Sequence, residues 1–95
     1  MGSAMFEWDP HKAALNLESH GVSFSEASTV FADYLSVTIG DPIHSAEEQR
    51  FVILGISALR RLVVVVHTMR GERIRIISAR LAEPNEKRKY QEGLF

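Results

Sequence analysis

The apolar positions divide this chain into a helical opening, a run of strands and a helical close. Phe6-Glu7-Trp8 is short and aromatic and is followed by Asp9-Pro10. That suits an edge strand ending where Asp9 caps a helix with Pro10 at its first position. Ala14, Leu15 and Leu17 recur at helical spacing through HKAALNLESH, and Gly21 is the expected left-handed stop. In SFSE, Ser23 lies three residues before Glu26, a capping box, and Ala27, Val30 and Phe31 continue at helical spacing. From Tyr34 to Gly40, Leu35, Val37 and Ile39 alternate with Tyr34, Ser36 and Thr38, the pattern of a half-exposed strand that Asp41-Pro42 ends.

RFVILGIS (50–57) and RLVVVVHTM (61–69) are apolar on both faces, as strands near the middle of a covered sheet are. RGE at 70–72 is a tight turn into RIRIISAR, so 61–69 and 73–79 should form an antiparallel hairpin. In EPNEKRKYQEGLF, Pro84 suits a first helical turn, and Tyr90 or Leu94 can dock on the sheet. The expected fold is therefore α+β: a mainly antiparallel sheet, two N-terminal helices and a C-terminal helix. A chain of 95 residues is one domain, 1–95, whose first four residues, MGSA, read as an expression scar.

Composition narrows the function classes. With 45% hydrophobic and 24% charged residues the chain can build a packed core. It has no cysteine, which excludes disulfides and thiolate metal sites and fits a cytoplasmic location. The longest apolar run, Leu62 to Val66, is too short to span a bilayer, so no membrane association is expected. The net charge of −1 hides an asymmetry: residues 1–49 carry eight acids and one base, residues 50–95 ten bases and four acids, −7 against +6. A basic half suits a phosphate backbone; equally, the two halves can neutralise one another in the fold.

The arginines of RIRIISAR pose the sharpest question. Strict alternation sends Arg73, Arg75, Ile77 and Ala79 to one face and Ile74, Ile76, Ser78 and Arg80 to the other. Ile74 and Ile76 then face the helices, Arg73 and Arg75 the wetter side, and Arg80 emerges beside the last helix, where its fork can enter the crevice. Arginines sharing an open face repel unless carboxylates or phosphates lie between them. His11, His20, His44 and His67 lack zinc-like spacing and there is no HExxH, so no metal site is expected. There is no P-loop, G-x-S-x-G or dinucleotide fingerprint either, so no cofactor is expected. His67 reads as a core histidine or a proton carrier, and His20 as a helix C-terminal cation or the same.

FEWDPHKAALNLESHGVSFSEA, RFVILGIS, LVVVVHT and RIRIISARLAEPNEKRKY together resemble the BrnT family of small type II toxin–antitoxin toxins over nearly the whole chain. The family pattern maps onto Phe6, Trp8, Asp9, Lys12, Asn16, His20, Gly21, then Arg75 to Arg80, Ala82, Glu86 and Tyr90. Ser19 stands where the family often has lysine, and Glu83-Pro84 replaces a more polar approach to the last helix. The resemblance implies a RelE-like fold, an endoribonuclease that cleaves mRNA and arrests translation, and neutralisation by a BrnA-like ribbon-helix-helix antitoxin. Operator DNA would be met only through the antitoxin complex.

Metal-independent RNA cleavage needs a base for the 2′-hydroxyl, a cation for the phosphorane and an acid for the 5′-oxygen. A charged hydrogen bond from arginine can supply about 1.5–3 kcal/mol. The candidates are Arg80 for the phosphate, His67, His20 or Tyr90 for proton transfer, and Arg60, Arg61, Arg73, Arg75 and Lys89 for the RNA backbone. Trp8 and Phe95 are apolar side chains that either touch the antitoxin or serve as core and terminus. The competing reading is a non-catalytic binding module in an antitoxin and operator-DNA repressor complex.

Overall fold

A computed structural model describes residues 5–41 and 48–93. His44, Leu94, Phe95 and the MGSA opening lie outside the described residues. Strand β1 (Phe6–Glu7) leads into helix α1 (Pro10–His20) and helix α2 (Phe24–Thr29), which runs on into a 3-10 turn, Val30–Ala32. Strands β2 (Val37–Gly40), β3 (Arg50–Ile56), β4 (Leu62–Arg70) and β5 (Arg73–Leu81) follow, and helix α3 (Pro84–Glu92) closes the chain. They form one sheet in the order β1-β5-β4-β3-β2, antiparallel except for the parallel β1/β5 pair.

Local chemistry sets the helix ends as expected. The Asp9 side chain accepts the His11 N–H with Pro10 at the first helical position, and Gly21 closes α1 at φ 69°. Ser23 caps α2 by accepting the Glu26 N–H, but Glu26 does not return the bond as a capping box would. Its carboxylate instead takes Arg61 and the Ser57 hydroxyl. Charge pairing to another element has replaced the local contact. The strand expected from Tyr34 begins only at Val37, because Asp33 captures the Leu35 N–H with its side chain and the Ser36 N–H with its carbonyl, making a turn first.

Helices α1 and α2 cover one face of the sheet. Val22, Phe24, Ala27 and Val30 pack on Phe6, Ile53, Val63, Val65, Ile76 and Ala79, with Trp8 and Phe31 at the margin. Trp8 meets Phe24 edge-on at 6.0 Å, so it serves this core. The apolar positions expected to bury α1 do not: Leu15 and Leu17 are each 50% exposed, and Asn16 and Ala13 face inward. Gly55 on β3 is required by proximity, since a Cβ there would lie 2.9 Å from Val30 Cγ1.

The other face carries Leu54, Val64 and Arg80 in one row, Val52, Val66 and Ser78 in the next, and Arg50, Thr68, Arg75 and Glu7 in a third. Helix α3 lies against β3 on this side.

Candidate active site

The arrangement of arginines depends on one irregularity. The β4/β5 register shifts between Val66 and His67, so that Val66 faces Ser78 while His67 faces Ile76, and Ile77 is the extra residue of a β-bulge. This corrects the strict alternation expected from sequence. Ile74, Ile76 and Ala79 all point to the core, and Arg73, Arg75, Ser78 and Arg80 all share the opposite face. One inserted residue brings Arg80 round to the side of Arg73 and Arg75.

A cavity of about 380 Å³ opens on that face, lined by Val52, Val64, Val66, Ser78 and Arg80, with Arg50, Asp41 and His20 among its remaining walls. His20 belongs to α1, on the far side of the sheet, and reaches the cavity round the edge of β5. That edge is open because β1 pairs only with Ile74 and Arg75. Asn16 substitutes for the missing strand: its Nδ2 donates to the Ala79 carbonyl at 2.8 Å and to the Val22 carbonyl at 2.9 Å, and its Oδ1 accepts the Ala79 N–H at 3.1 Å. A buried side chain thus pairs the backbone between Ser78 and Arg80, as a strand would. Lys12, Asn16 and His20 lie at successive four-residue steps of one helix stripe. A second depression, lined by Lys12, Ser19 and Leu15, shares His20 and Ile77 with the cavity.

Arg80 is gripped without being used up. Its Nη1 donates to Glu86 Oε1 at 2.8 Å and to the Leu81 carbonyl at 3.3 Å, and its Nη2 donates to Glu86 Oε2 at 2.9 Å. A guanidinium has five N–H groups in a fixed plane. Those on Nε and the second on Nη2 remain, and together they form the side edge of the fork, suited to a phosphate. Glu86 Oε1 also accepts the Glu83 N–H, completing the capping box of α3. Glu86 therefore aims the fork. Arg80 holds the Glu86 carboxyl below the usual carboxylate range, and Glu86 raises the Arg80 pKa in turn.

Four other arginines, Arg50, Arg61, Arg70 and Arg75, are also paired, across the charge asymmetry of the chain. Arg75 donates to Glu7 at 2.7 Å, and Glu48 lies within 3.8 Å of Arg50 and 3.6 Å of Arg70. Arg73, on the same face, has no ion pair with a described residue. Arg60 and Arg61 sit elsewhere, on the β3–β4 turn. Arg60 is exposed in the left-handed region at φ 62°, and Arg61 is clasped to Glu26 and to the Gly21 carbonyl. Lys89 is exposed on α3.

The proton-transfer candidates separate. His20 is at the cavity, and His67 is not: it lies on the core face, 4.8 Å from the Phe31 ring and 5.8 Å from Phe51. Burial pushes the His67 pKa down, against a weaker opposing contact with the Val65 carbonyl. Tyr90 docks α3, its hydroxyl donating to Asp33 Oδ2 at 2.5 Å. Burial, then Asp33, pushes its pKa up to about 12. Among the described residues no group of three or more His, Asp or Glu side chains could hold a metal ion. Nor is any helix there long and apolar enough to cross a membrane.

Residues 8–86 match the family model for the ribonuclease toxin, BrnT, of type II toxin–antitoxin systems. The chain belongs to the BrnT family. Among solved structures it is similar to the ribonuclease toxin BrnT of Brucella abortus, at 20% identity and a TM-score of 0.62, with 85% of this chain and 99% of that one covered. That likeness carries the BrnT-like fold: a five-strand, mostly antiparallel sheet with two N-terminal helices and one C-terminal helix. Comparison with curated proteins gives no match. Membership of the BrnT family makes this a ribonuclease toxin of a type II system, with a cognate antitoxin. Asn16, Ser78 and Glu86, positions of the family pattern to which the sequence alone assigns no chemical role, are the residues that the structure adds to the site. The i, i+4 polar stripe through Lys12, Asn16 and His20 is the pattern that could have drawn attention to the first.

Proposed function

We propose that this chain cleaves mRNA by metal-independent transesterification and so arrests translation in the cytoplasm, with the scissile linkage seated beside Arg80. One observation carries the reading: Arg80, whose fork keeps donors beyond those spent on Glu86 and Leu81, and His20 line the same cavity. In the reaction the 2′-oxygen attacks phosphorus as its proton passes to a base, and the P–O5′ bond breaks as O5′ takes a proton. A 2′,3′-cyclic phosphate and a 5′-hydroxyl remain. Arg80 stabilises the charge that develops on the phosphorane oxygens. His20, whose imidazole has one nitrogen that can accept a proton and another that can donate one, moves the proton. Arg73 and Arg75 hold the strand beyond the cavity, and Lys89 and Arg60 reach it only from further off. The cognate antitoxin is a BrnA-like ribbon-helix-helix protein, through which the toxin meets operator DNA.

The purified chain should cut a defined RNA in excess EDTA and leave cyclic phosphate ends. Arg80→Ala should slow cutting by about 10²–10³-fold, the effect of removing one such donor elsewhere, with the circular dichroism spectrum unchanged. His20→Ala should do so without altering RNA binding. One observation favours the alternative, a non-catalytic module of a repressor complex: Glu7, Glu48 and Glu86 already engage arginines of this face. RNA left intact at high protein concentration would select it.

A further inference from the structure

We infer that the valine floor of this cavity is a seat for one unstacked nucleobase, which makes the substrate single-stranded RNA. The inference deepens the ribonuclease reading and rests on it. Val52 and Val66 lie side by side on β3 and β4 with Ser78 completing their row, and Val64, one row on beside Leu54 and Arg80, forms the buried bottom of the same cavity. An arginine stands at each end of this floor beside an acid, Arg80 held by Glu86 and Arg50 near Glu48 with Asp41 in the same wall, so each end offers a phosphate the donors that its acid leaves over. Arg80 stands in the row of Val64, and Arg50 stands opposite Thr68, four residues further along β4. At about 3.3 Å per residue those rows are roughly 13 Å apart.

A phosphate gains nothing from such a floor, because an anion set on alkyl groups loses its water without new partners. The face of a base is the apolar part of a nucleotide. The sequence cation, apolar floor, cation therefore matches phosphate, inward-turned base, next phosphate. A base in a duplex is stacked and paired, and side chains do not reach it through the deep, narrow major groove of an RNA helix. Only an unpaired base can lie on the valines. The Ser78 hydroxyl both donates and accepts hydrogen bonds, so it accommodates the edge of any base and discriminates little. The chain should be strict about strandedness and tolerant of base identity at this seat. His20 and Ile77, shared with the depression beside Lys12, mark where the strand passes over the edge of β5.

The test uses the whole chain with methyl-labelled valines and a short single-stranded 2′-O-methyl oligoribonucleotide, which cannot be cut because its attacking oxygen is blocked. The Val52, Val64 and Val66 methyl resonances should move upfield under the base's ring current. They should stay in place with an abasic strand of the same length or with the annealed duplex. The abasic strand should bind about tenfold more weakly, as loss of one stacked base does. Unmoved methyls, or an abasic strand bound as tightly, overturn the seat. If an acidic peptide moves these methyls and the RNA does not, the floor belongs to a protein partner. Cutting of ordinary RNA by a chain whose methyls never move removes the seat and leaves the ribonuclease; moved methyls with RNA never cut do the reverse.

Discussion

The two faces of the sheet are held together by different physics. Under α1 and α2 the contacts are mainly apolar and closed, with Val22, Ala27, Val30, Val63 and Val65 shut away from water and Asn16 and Glu26 the buried polar exceptions. Under α3 none of the helix's residues is buried, and the helix is tethered by two polar links, Glu86 to Arg80 and Tyr90 to Asp33. Hydrophobic burial is non-directional and scales with area, so the first face supplies stability without specifying where a charge goes. Charged hydrogen bonds contribute less but are directional, so the second face specifies where Arg80 points and contributes less to stability. In this chain stability and aim lie on opposite sides of one sheet.

The largest effect on that division should come from the closed face. Phe24 is 2% exposed and fills the space between α2, Trp8 and the sheet. Phe24→Ala should cost about 3–5 kcal/mol, much of the roughly 5–15 kcal/mol that a domain commands. Urea unfolding would measure it, and a midpoint close to that of the parent chain would mean that α2 contributes little to stability.

Asn16 joins the two sides and should rank next. Asn16→Ala removes the partners of the Ala79 N–H and carbonyl, each a backbone group whose lost bond costs about 1–3 kcal/mol when buried. Asn16→Asp keeps the acceptor for the Ala79 N–H but turns a carboxylate oxygen toward the Ala79 and Val22 carbonyls in a buried site, so it should cost at least as much as alanine. Because Ala79 sits between Ser78 and Arg80, the cutting rate should fall further than RNA affinity. Equal losses in both would mean that Asn16 supports the fold and does not position Arg80.

Most of the architecture was legible in the chain. Asp9-Pro10, Gly21, Ser23 and Pro84 fix helix ends through bonds made within a few residues, and the valine-rich runs could only be covered strands. What escaped depends on distant partners. Whether Glu26 turns back to Ser23 or forward to Arg61 is settled by an element that arrives 35 residues later. The Ile77 bulge needs the register of β4, which no pattern within RIRIISAR contains, and the face that Arg80 takes follows from it. Likewise Leu15 and Leu17 look like a buried stripe until the helix is seen to turn Asn16 inward to serve the open edge of β5. Charge asymmetry leaves open whether the arginines await a phosphate or meet internal acids; they share a face, and Glu7 and Glu48 of the acidic half reach Arg75, Arg50 and Arg70 while Glu86 holds Arg80.

The smallest effect should come from the far tether, and its sign follows from protonation. The Tyr90 hydroxyl is held protonated in the fold, its pKa raised from 10.0 to about 12 by burial and by the Asp33 carboxylate. Below about pH 10 the tyrosine is neutral folded or unfolded, and the link contributes in full. Between those two values the unfolded chain releases the proton and the folded chain keeps it, so the folded state binds more protons and stability falls as pH rises. Tyr90→Phe should flatten this alkaline fall while lowering stability at neutral pH by about 1 kcal/mol, the contribution of a single hydrogen bond. Unfolding midpoints of the two chains should therefore differ at neutral pH and converge toward about pH 12. Parallel curves would mean that the hydroxyl does not meet Asp33 in solution and that α3 rests on Glu86 alone.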